Sequence, residues 1–181
     1  MEYCARDDWM MIHDSELEIS IEVPWTVPKL PKDPDNGEAL QEGAKVVIEN
    51  YMDGSRRING EKEGIFHGEW RLTYPNDAVK MVTYYQEGNL HGPFRYYTES
   101  GVLLVENWFV NGLKEGRGYS YYLEGSIASE ERFLHNEMHG LQRFWFPNGK
   151  IKTEMSYHHG VIVGKVNLYF PNGKLFRSLE F

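Results

Sequence analysis

The chain of 181 residues is predicted to be all-β, an elongated, twisted antiparallel meander of stacked β-hairpins with a distinct N-terminal segment. One observation is a fixed period, because glycines recur every 24 residues without insertion, as in an array of equal units: Gly68, Gly92, Gly116, Gly140 and Gly164. The other is a content of 14% aromatic residues with 18 glycines, which is typical of short strands and tight turns. Function is therefore expected in a repeated surface.

Two further positions of the unit repeat. The fifth residue after the glycine is aromatic in four units: Tyr97, Tyr121, Trp145 and Tyr169. The eleventh is aliphatic in all five: Val79, Leu103, Ile127, Ile151 and Leu175. We take the unit to be one hairpin, and its register follows from the turn.

Asn148-Gly149 predicts that turn, a two-residue loop with positive φ at both positions. A four-residue loop is the alternative and leaves the faces unchanged. In this register Arg95 faces Glu106 and Arg143 faces Glu154 on a solvated face, as pairs worth roughly 0.2–1 kcal/mol. The other face is predicted to be buried, in this unit by Gln142, Phe144, Phe146, Ile151, Thr153, Met155 and Tyr157.

A second turn joins one hairpin to the next, as in 111–116 and 135–140, where glycines predict a longer loop with left-handed backbone. The array then forms a sheet of about ten strands with one buried face. Such a sheet has to curl, pair with a second copy or be covered by residues 1–58.

Residues 1–58 lie outside the register and are assigned to an acidic N-terminal segment, and residues 59–181 to the repeat array. Leu17, Ile19, Ile21 and Val23 alternate with polar residues as in a half-buried strand that Pro24 ends. A proline-rich linker follows over 28–37. Val46–Ile48 is a further candidate strand and Asp53-Gly54 a further turn, as in a degenerate repeat.

The sequences Tyr169–Leu175, Trp145–Ile151 and Phe109–Gly112 resemble the MORN repeat in its longer bacterial variant. The resemblance covers 59–181, with Asp77 in place of the turn glycine in one unit. It implies an elongated twisted sheet used for binding. Many such bacterial proteins are grouped as antitoxins or immunity partners of secreted toxins, and other MORN proteins are scaffolds or linked to membranes.

The net charge of −8 is unevenly distributed along the chain. Residues 1–58 hold 13 acidic and 6 basic residues, 59–131 hold 11 and 6, and 132–181 hold 3 and 7. An acidic front attracts basic partners, whereas a merely solvated surface is the alternative. With no signal peptide or membrane-length apolar run in view, and a single cysteine, Cys4, a cytoplasmic protein is expected.

No pattern for catalysis, a phosphate loop or a cofactor is found, so we expect neither enzyme nor cofactor. Histidines recur in two columns, one with His67, His91 and His139 and one with His135 and His159. Neighbours in a column lie about 10 Å apart, too far to share a zinc ion. No metal site is therefore expected.

The aromatic column is the best candidate for binding, because parity places it on the solvated face beside arginines, as in interface hot spots. The predicted partner-binding residues are Tyr97, Tyr121, Trp145, Tyr169, Arg95 and Arg143. A second core under residues 1–58 is the alternative. The sequence predicts a non-enzymatic protein-binding module, an antitoxin or immunity protein that occludes a basic toxin, with a scaffold or membrane-associated protein as the alternative. Nucleic acid is not an expected partner, and the last strand, 175–181, is expected to offer a free edge for a homodimer.

Overall fold

The computed structural model describes residues 2–6, 9–14, 19–24 and 44–181. Every regular element in these ranges is a β-strand, which confirms the predicted all-β class. The first three strands form a small antiparallel sheet: β1 Glu2–Arg6, β2 Trp9–Asp14 and β3 Ile19–Pro24. The strand predicted around Ile19–Val23 is thus present, whereas Leu17 and the linker over 28–37 lie outside the described residues.

The remaining strands form one sheet of fifteen. Twelve of them lie side by side in chain order: β4 Ala44–Asn50, β5 Arg56–Lys62, β6 Ile65–Thr73, β7 Val79–Gln86, β9 Gly92–Tyr97, β10 Leu103–Val110, β12 Gly116–Tyr121, β13 Ile127–Leu134, β15 Gly140–Trp145, β16 Ile151–His158, β17 Val161–Tyr169 and β18 Leu175–Glu180. Three two-residue strands pair beside this path: β8 Asn89–Leu90, β11 Leu113–Lys114 and β14 Glu137–Met138. At about 4.8 Å per strand the sheet is roughly 50 Å across, and it starts with the predicted strand and turn around Val46–Gly54.

The turn within each hairpin differs from the prediction. At Phe146–Gly149 the amide of Gly149 donates to the Phe146 carbonyl (2.9 Å), and the amide of Phe146 donates to the Lys150 carbonyl (2.8 Å). Gly149 has φ 76°, whereas Asn148 is not in the left-handed region. Pro147 explains this, because its ring holds φ negative and favours a type I turn with glycine at the fourth position. The two-residue loop predicted at Asn148-Gly149 is therefore wrong.

The two-residue turns lie instead between the hairpins. Gln86 pairs with Asn89, and the intervening Glu87 and Gly88 have φ values of 49° and 80°. Both central residues are thus left-handed, as a type I′ turn requires. The turns after β5, β10, β13 and β16 have the same pattern of positive φ. The left-handed backbone predicted between hairpins is therefore present, but it lies in two-residue turns and not in a longer loop.

Each hairpin compensates for its turn with a β-bulge. Phe144 pairs with Thr153 and Trp145 pairs with Ile151, which leaves Lys152 as the extra residue. Directly paired residues lie on the same face, so Ile151 joins Trp145 and not the face predicted from parity. We call the face that carries Arg143 and Trp145 the front face, and the other the back face.

Burial is shared between the two faces, because the sheet is a single layer. Gln142 and Thr153 on the back face are buried, but Phe144 and Met155 beside them are only half-buried. On the front face Arg132 is buried, with 1% exposure. The prediction of one buried and one solvated face is therefore wrong, because both faces carry buried and half-buried side chains.

Candidate binding surface

A straight row of paired residues crosses the front face from β4 to β18. Every member pairs directly with the next. We call it the charged row, and in order it consists of Ile48, Ile58, Arg71, Val82, Arg95, Glu106, Tyr119, Glu130, Arg143, Glu154, Asn167 and Ser178. Alternating charges along such a row stabilise neighbouring strands.

The two predicted ion pairs lie in this row and confirm the strand register. Arg95 Nε is 2.7 Å from Glu106 Oε1, and Arg143 Nε is 3.2 Å from Glu154 Oε1. The arginine side chains are 30% and 32% exposed. Both therefore remain accessible while their charge is already matched, so they present a largely neutral polar surface.

Further ion pairs extend the row on the same face. Glu130 Oε1 lies 3.0 Å from Arg117 and 3.3 Å from Arg132. Glu69, next to the row on β6, lies 2.6 Å from Arg71. Burial raises the pKa of Glu69 above its usual range, an effect that the ion pair and hydrogen bond with Arg71 oppose. Burial, followed by the nearby Glu69, raises the pKa of Tyr84 to about 12.

The predicted aromatic column lies on the front face, toward the turns within the hairpins. The bulges place the aliphatic residue of each unit directly opposite its aromatic residue, so the column is double. We call these four pairs the turn-edge stripe: Tyr97 with Leu103, Tyr121 with Ile127, Trp145 with Ile151 and Tyr169 with Leu175. The aromatic residues are half-buried, while Ile127 and Leu175 are 41% and 55% exposed. About six strand spacings, or roughly 30 Å, separate Tyr97 from Tyr169.

One contact joins the stripe to the charged row. The Tyr169 hydroxyl donates to Glu154 Oε2 (3.0 Å), while Glu154 Oε1 accepts from Arg143. Burial and then this hydrogen bond raise the pKa of the Tyr169 phenol. Three residues, two of them predicted as partner-binding, thus form one unit. Trp145 lies two residues from Arg143 on β15, whereas Tyr97 and Tyr121 belong to earlier hairpins. The surface is open: two described indentations, near Phe66 and near Tyr119, measure about 220 and 190 Å³, less than a usual small-molecule site.

In three units the residue before the repeat glycine has a structural role that the sequence did not reveal. Its side chain accepts the backbone amide of the next turn: Asn111 N to His91 Nδ1 (3.5 Å), His135 N to Glu115 Oε1 (2.9 Å) and His159 N to His139 Nδ1 (3.3 Å). Backbone bonds between the same turns run in parallel, as from Gly160 N to the Met138 carbonyl (2.9 Å). The turns between hairpins are therefore stacked on one another along one edge of the sheet.

The same stacking brings three histidines together. His139, His158 and His159 each offer a ring nitrogen, and these three atoms lie within 4.8 Å of one another. The sequence predicts no metal site because histidines of the same column are about 10 Å apart, but histidines of different columns can lie closer together. The cluster joins one residue of each column to a neighbour, His158, that belongs to neither.

Comparison with known proteins agrees with the repeat. Residues 138–159 match the model of the MORN repeat variant, a segment that runs from β14 through β15 and β16 into the following turn. Among curated proteins no match to the chain is found. The match covers one hairpin and supports its identification as a MORN repeat, a repeat that suggests a protein-binding or scaffold role.

Proposed function

We propose that the protein is a non-enzymatic protein-binding module whose front face contacts a protein partner. The observation that carries the proposal is the turn-edge stripe, a double row of aromatic and aliphatic side chains beside a charge-matched row. Interface cores are enriched in aromatic residues and depleted of unpaired charge. A stripe of roughly 30 Å is long enough for an interface of standard size, about 800 Å² on each partner.

The finer proposal is that of an antitoxin or immunity protein that occludes a basic toxin in the cytoplasm. Because the repeats follow one another across the sheet, the charge imbalance of the sequence becomes an imbalance in space. The strands from β6 to the middle of β13 lie in the acidic part, residues 59–131, and the later strands lie in the basic part, residues 132–181. Tyr97 and Tyr121 belong to the acidic part. We expect a basic partner to be steered there.

Adjacent tyrosines of β9 provide a matched test of the proposal. Tyr97 points to the front face and Tyr96 to the back face, and both are half-buried. Proteins retained from a lysate are identified by mass spectrometry with wild-type protein, Tyr97→Ala and Tyr96→Ala as baits. A partner held by the front face is lost with Tyr97→Ala and with a further bait, Tyr121→Ala, and is kept with Tyr96→Ala.

Equal loss with Tyr97→Ala, Tyr121→Ala and Tyr96→Ala would contradict the front-face site. The toxin proposal is tested separately, by growth of cells that produce the captured partner with and without this protein. Failure of rescue by a chain that still binds would refute the antitoxin role while leaving the binding function intact.

The alternative, a scaffold associated with membranes, rests on the basic residues near the C-terminal end: Lys150, Lys152, Lys165, Lys174 and Arg177. Lipid recognition uses four to eight clustered basic residues. Here Lys165 pairs with Glu180 on the front face, whereas Arg177 pairs with Leu168 on the back face. Among the described residues there is no helix long and apolar enough to cross a membrane. Flotation with phosphatidylserine vesicles tests this alternative.

We also propose that the outer edge of β18 pairs with a second copy of the chain. Among the described strands, β18 has a single neighbour, β17, so half of its backbone groups face outward. Gly164 and Phe181 exchange two backbone hydrogen bonds. Because inward and outward positions alternate in an antiparallel pair, the amide of Glu180 points outward and is available to a partner strand.

A further inference from the structure

The turns after β13 and β16 bring together side chains that metal ions prefer, at a position the repeat does not require. Each turn between hairpins is a type I′ turn, and each stacks on the turn of the preceding unit. At the last of the stacked junctions the three side chains that meet are all imidazoles: His139 between β14 and β15, His158 at the end of β16, and His159 at the start of the following turn. In the described part of the chain, no other group of three such ligands is found.

The backbone explains why consecutive histidines converge. Adjacent residues of a strand normally point to opposite faces, but His159 is the first residue of the turn, with φ 46°. This left-handed conformation swings its ring toward that of His158. The ring centroids are 4.7 Å apart for His158 and His159, 4.8 Å for His139 and His159, and 5.0 Å for His139 and His158.

A carboxylate lies behind the cluster in the position of an outer-shell partner. Glu137 Oε2 is 3.1 Å from Nδ1 of His159, which leaves Nε2 of that ring for a metal ion. Carboxylates in this arrangement fix the tautomer and orientation of a ligating histidine. The charge of Glu137 also offsets part of the positive charge that an ion brings.

We propose that His139, His158 and His159 form a binding site for a divalent transition metal of the zinc type, with Glu137 orienting His159. Zn–N bonds of about 2.0–2.1 Å in a tetrahedron place the ligand atoms about 3.3 Å apart. The present spacing of up to 4.8 Å closes by rotation of two exposed side chains. His139 gives up its 3.3 Å bond from the amide of His159, an exposed residue. The fourth position stays open to water or to a ligand from a partner.

The surroundings of His139 disfavour its charged form. Burial, and then the proximity of His159 and His158, lowers the pKa of His139 below its ordinary value of 6.5, although Glu137 opposes the shift. Metal ions bind the unprotonated ring, so this shift does not oppose ligation by His139.

Calorimetric titration of the full chain with Zn²⁺ tests the proposal, and the repeat supplies a matched control. We expect one ion per chain, a loss of at least tenfold in affinity for His158→Ala and for His139→Ala, and a loss of about 10–100-fold for Glu137→Gln. His91→Ala removes the equivalent histidine of another junction, where it also accepts a backbone amide, and is expected to leave Zn²⁺ affinity unchanged.

Circular dichroism of each variant confirms that it is folded, so a loss of binding reports on the site. The absence of binding by the wild-type chain would overturn the proposal. So would equal losses for His91→Ala and His139→Ala, or wild-type affinity in His158→Ala. Binding of several ions with no effect of any of these substitutions would show adventitious surface coordination only.

Discussion

Replacing Phe133 by alanine is expected to destabilise the array by about 3 kcal/mol, near the lower end of the 3–5 kcal/mol range for a buried phenylalanine. Phe133 is 7% exposed, and its ring lies under Lys114 Nζ, 3.6 Å from the ring centroid. Loss of this cation–π contact adds about 0.5–1 kcal/mol. The sheet is a single layer, however, so neighbours and water fill part of the space that the ring leaves. We therefore place the net cost at the lower end.

The assay is urea denaturation followed by tryptophan fluorescence and circular dichroism. With a slope of about 1–3 kcal/mol per molar, a loss of 3 kcal/mol moves the midpoint by roughly 1–3 M. His135→Ala is the control two residues away. Its side chain is 68% exposed, and the bond that matters, from its backbone amide to Glu115, survives the substitution. Because His135 has φ 51°, where histidine is tolerated better than alanine, we expect a cost of no more than about 1 kcal/mol, well below that of Phe133→Ala.

The ammonium group of Lys114 gives a second readout that a general loss of stability does not move. Burial lowers the pKa of Lys114 from its ordinary value of 10.5, against the attraction of Glu131. In folded Phe133→Ala water reaches the ammonium group. The lost cation–π attraction favours the charged form, but burial outweighs the attractions in the wild-type chain, so the pKa measured by NMR titration should rise toward 10.5. Equal destabilisation by Phe133→Ala and His135→Ala, or an unchanged Lys114 pKa, would refute this account of the packing.

Three further predictions concern single positions. Asp77 has φ 66° where the other units have glycine. Asp77→Gly relieves a backbone cost of about 1–2 kcal/mol and loses an exposed ion pair to Arg56 worth about 0–1 kcal/mol. Thermal melts should therefore show equal or higher stability for Asp77→Gly and lower stability for Asp77→Ala. The folded pKa of Tyr84, about 12, lies above its ordinary value of 10.0. The contribution of Tyr84 to the free energy of unfolding is therefore complete below pH 10 and is lost as the pH rises toward 12. Wild-type stability should fall more steeply over this window than that of Tyr84→Phe, and parallel curves would contradict the assignment. If β18 pairs with a second copy, light scattering at micromolar concentration should show a dimer that Glu180→Pro converts to a monomer, and a wild-type monomer would refute the proposal.

The register of the strands could be predicted because two independent patterns agree on it. Apolar positions and opposite charges both point to the pairing of Arg95 with Glu106 and of Arg143 with Glu154, and both pairs are present. The turns could not be assigned from Asn-Gly alone, since that dipeptide fits several turn types. Pro147 was the missed signal: a residue with fixed negative φ belongs in a type I turn.

The bulge is the step that the sequence could not supply. Counting alternate residues along a strand assigns faces correctly only while the pairing is regular. One extra residue reverses the face assigned to the residues on its far side. Alternation therefore predicts the wrong face for Ile151. It predicts the correct face for Trp145, which lies on the strand without the bulge. The double row of the turn-edge stripe thus depends on a backbone irregularity that recurs in each hairpin.

The histidines show why repetition by itself is poor evidence for function. His91, Glu115 and His139 occupy one column, and each accepts a backbone amide from the next turn, so this column serves the stacking of the turns. His158 has no such task, and the equivalent residues are Gln86, Val110 and Leu134. A side chain found in one unit only, at a position where the fold accepts glutamine, valine or leucine, is not needed for stacking. For this reason the metal proposal depends on His158, and His158→Ala separates the site from the scaffold more sharply than any change at a repeated position.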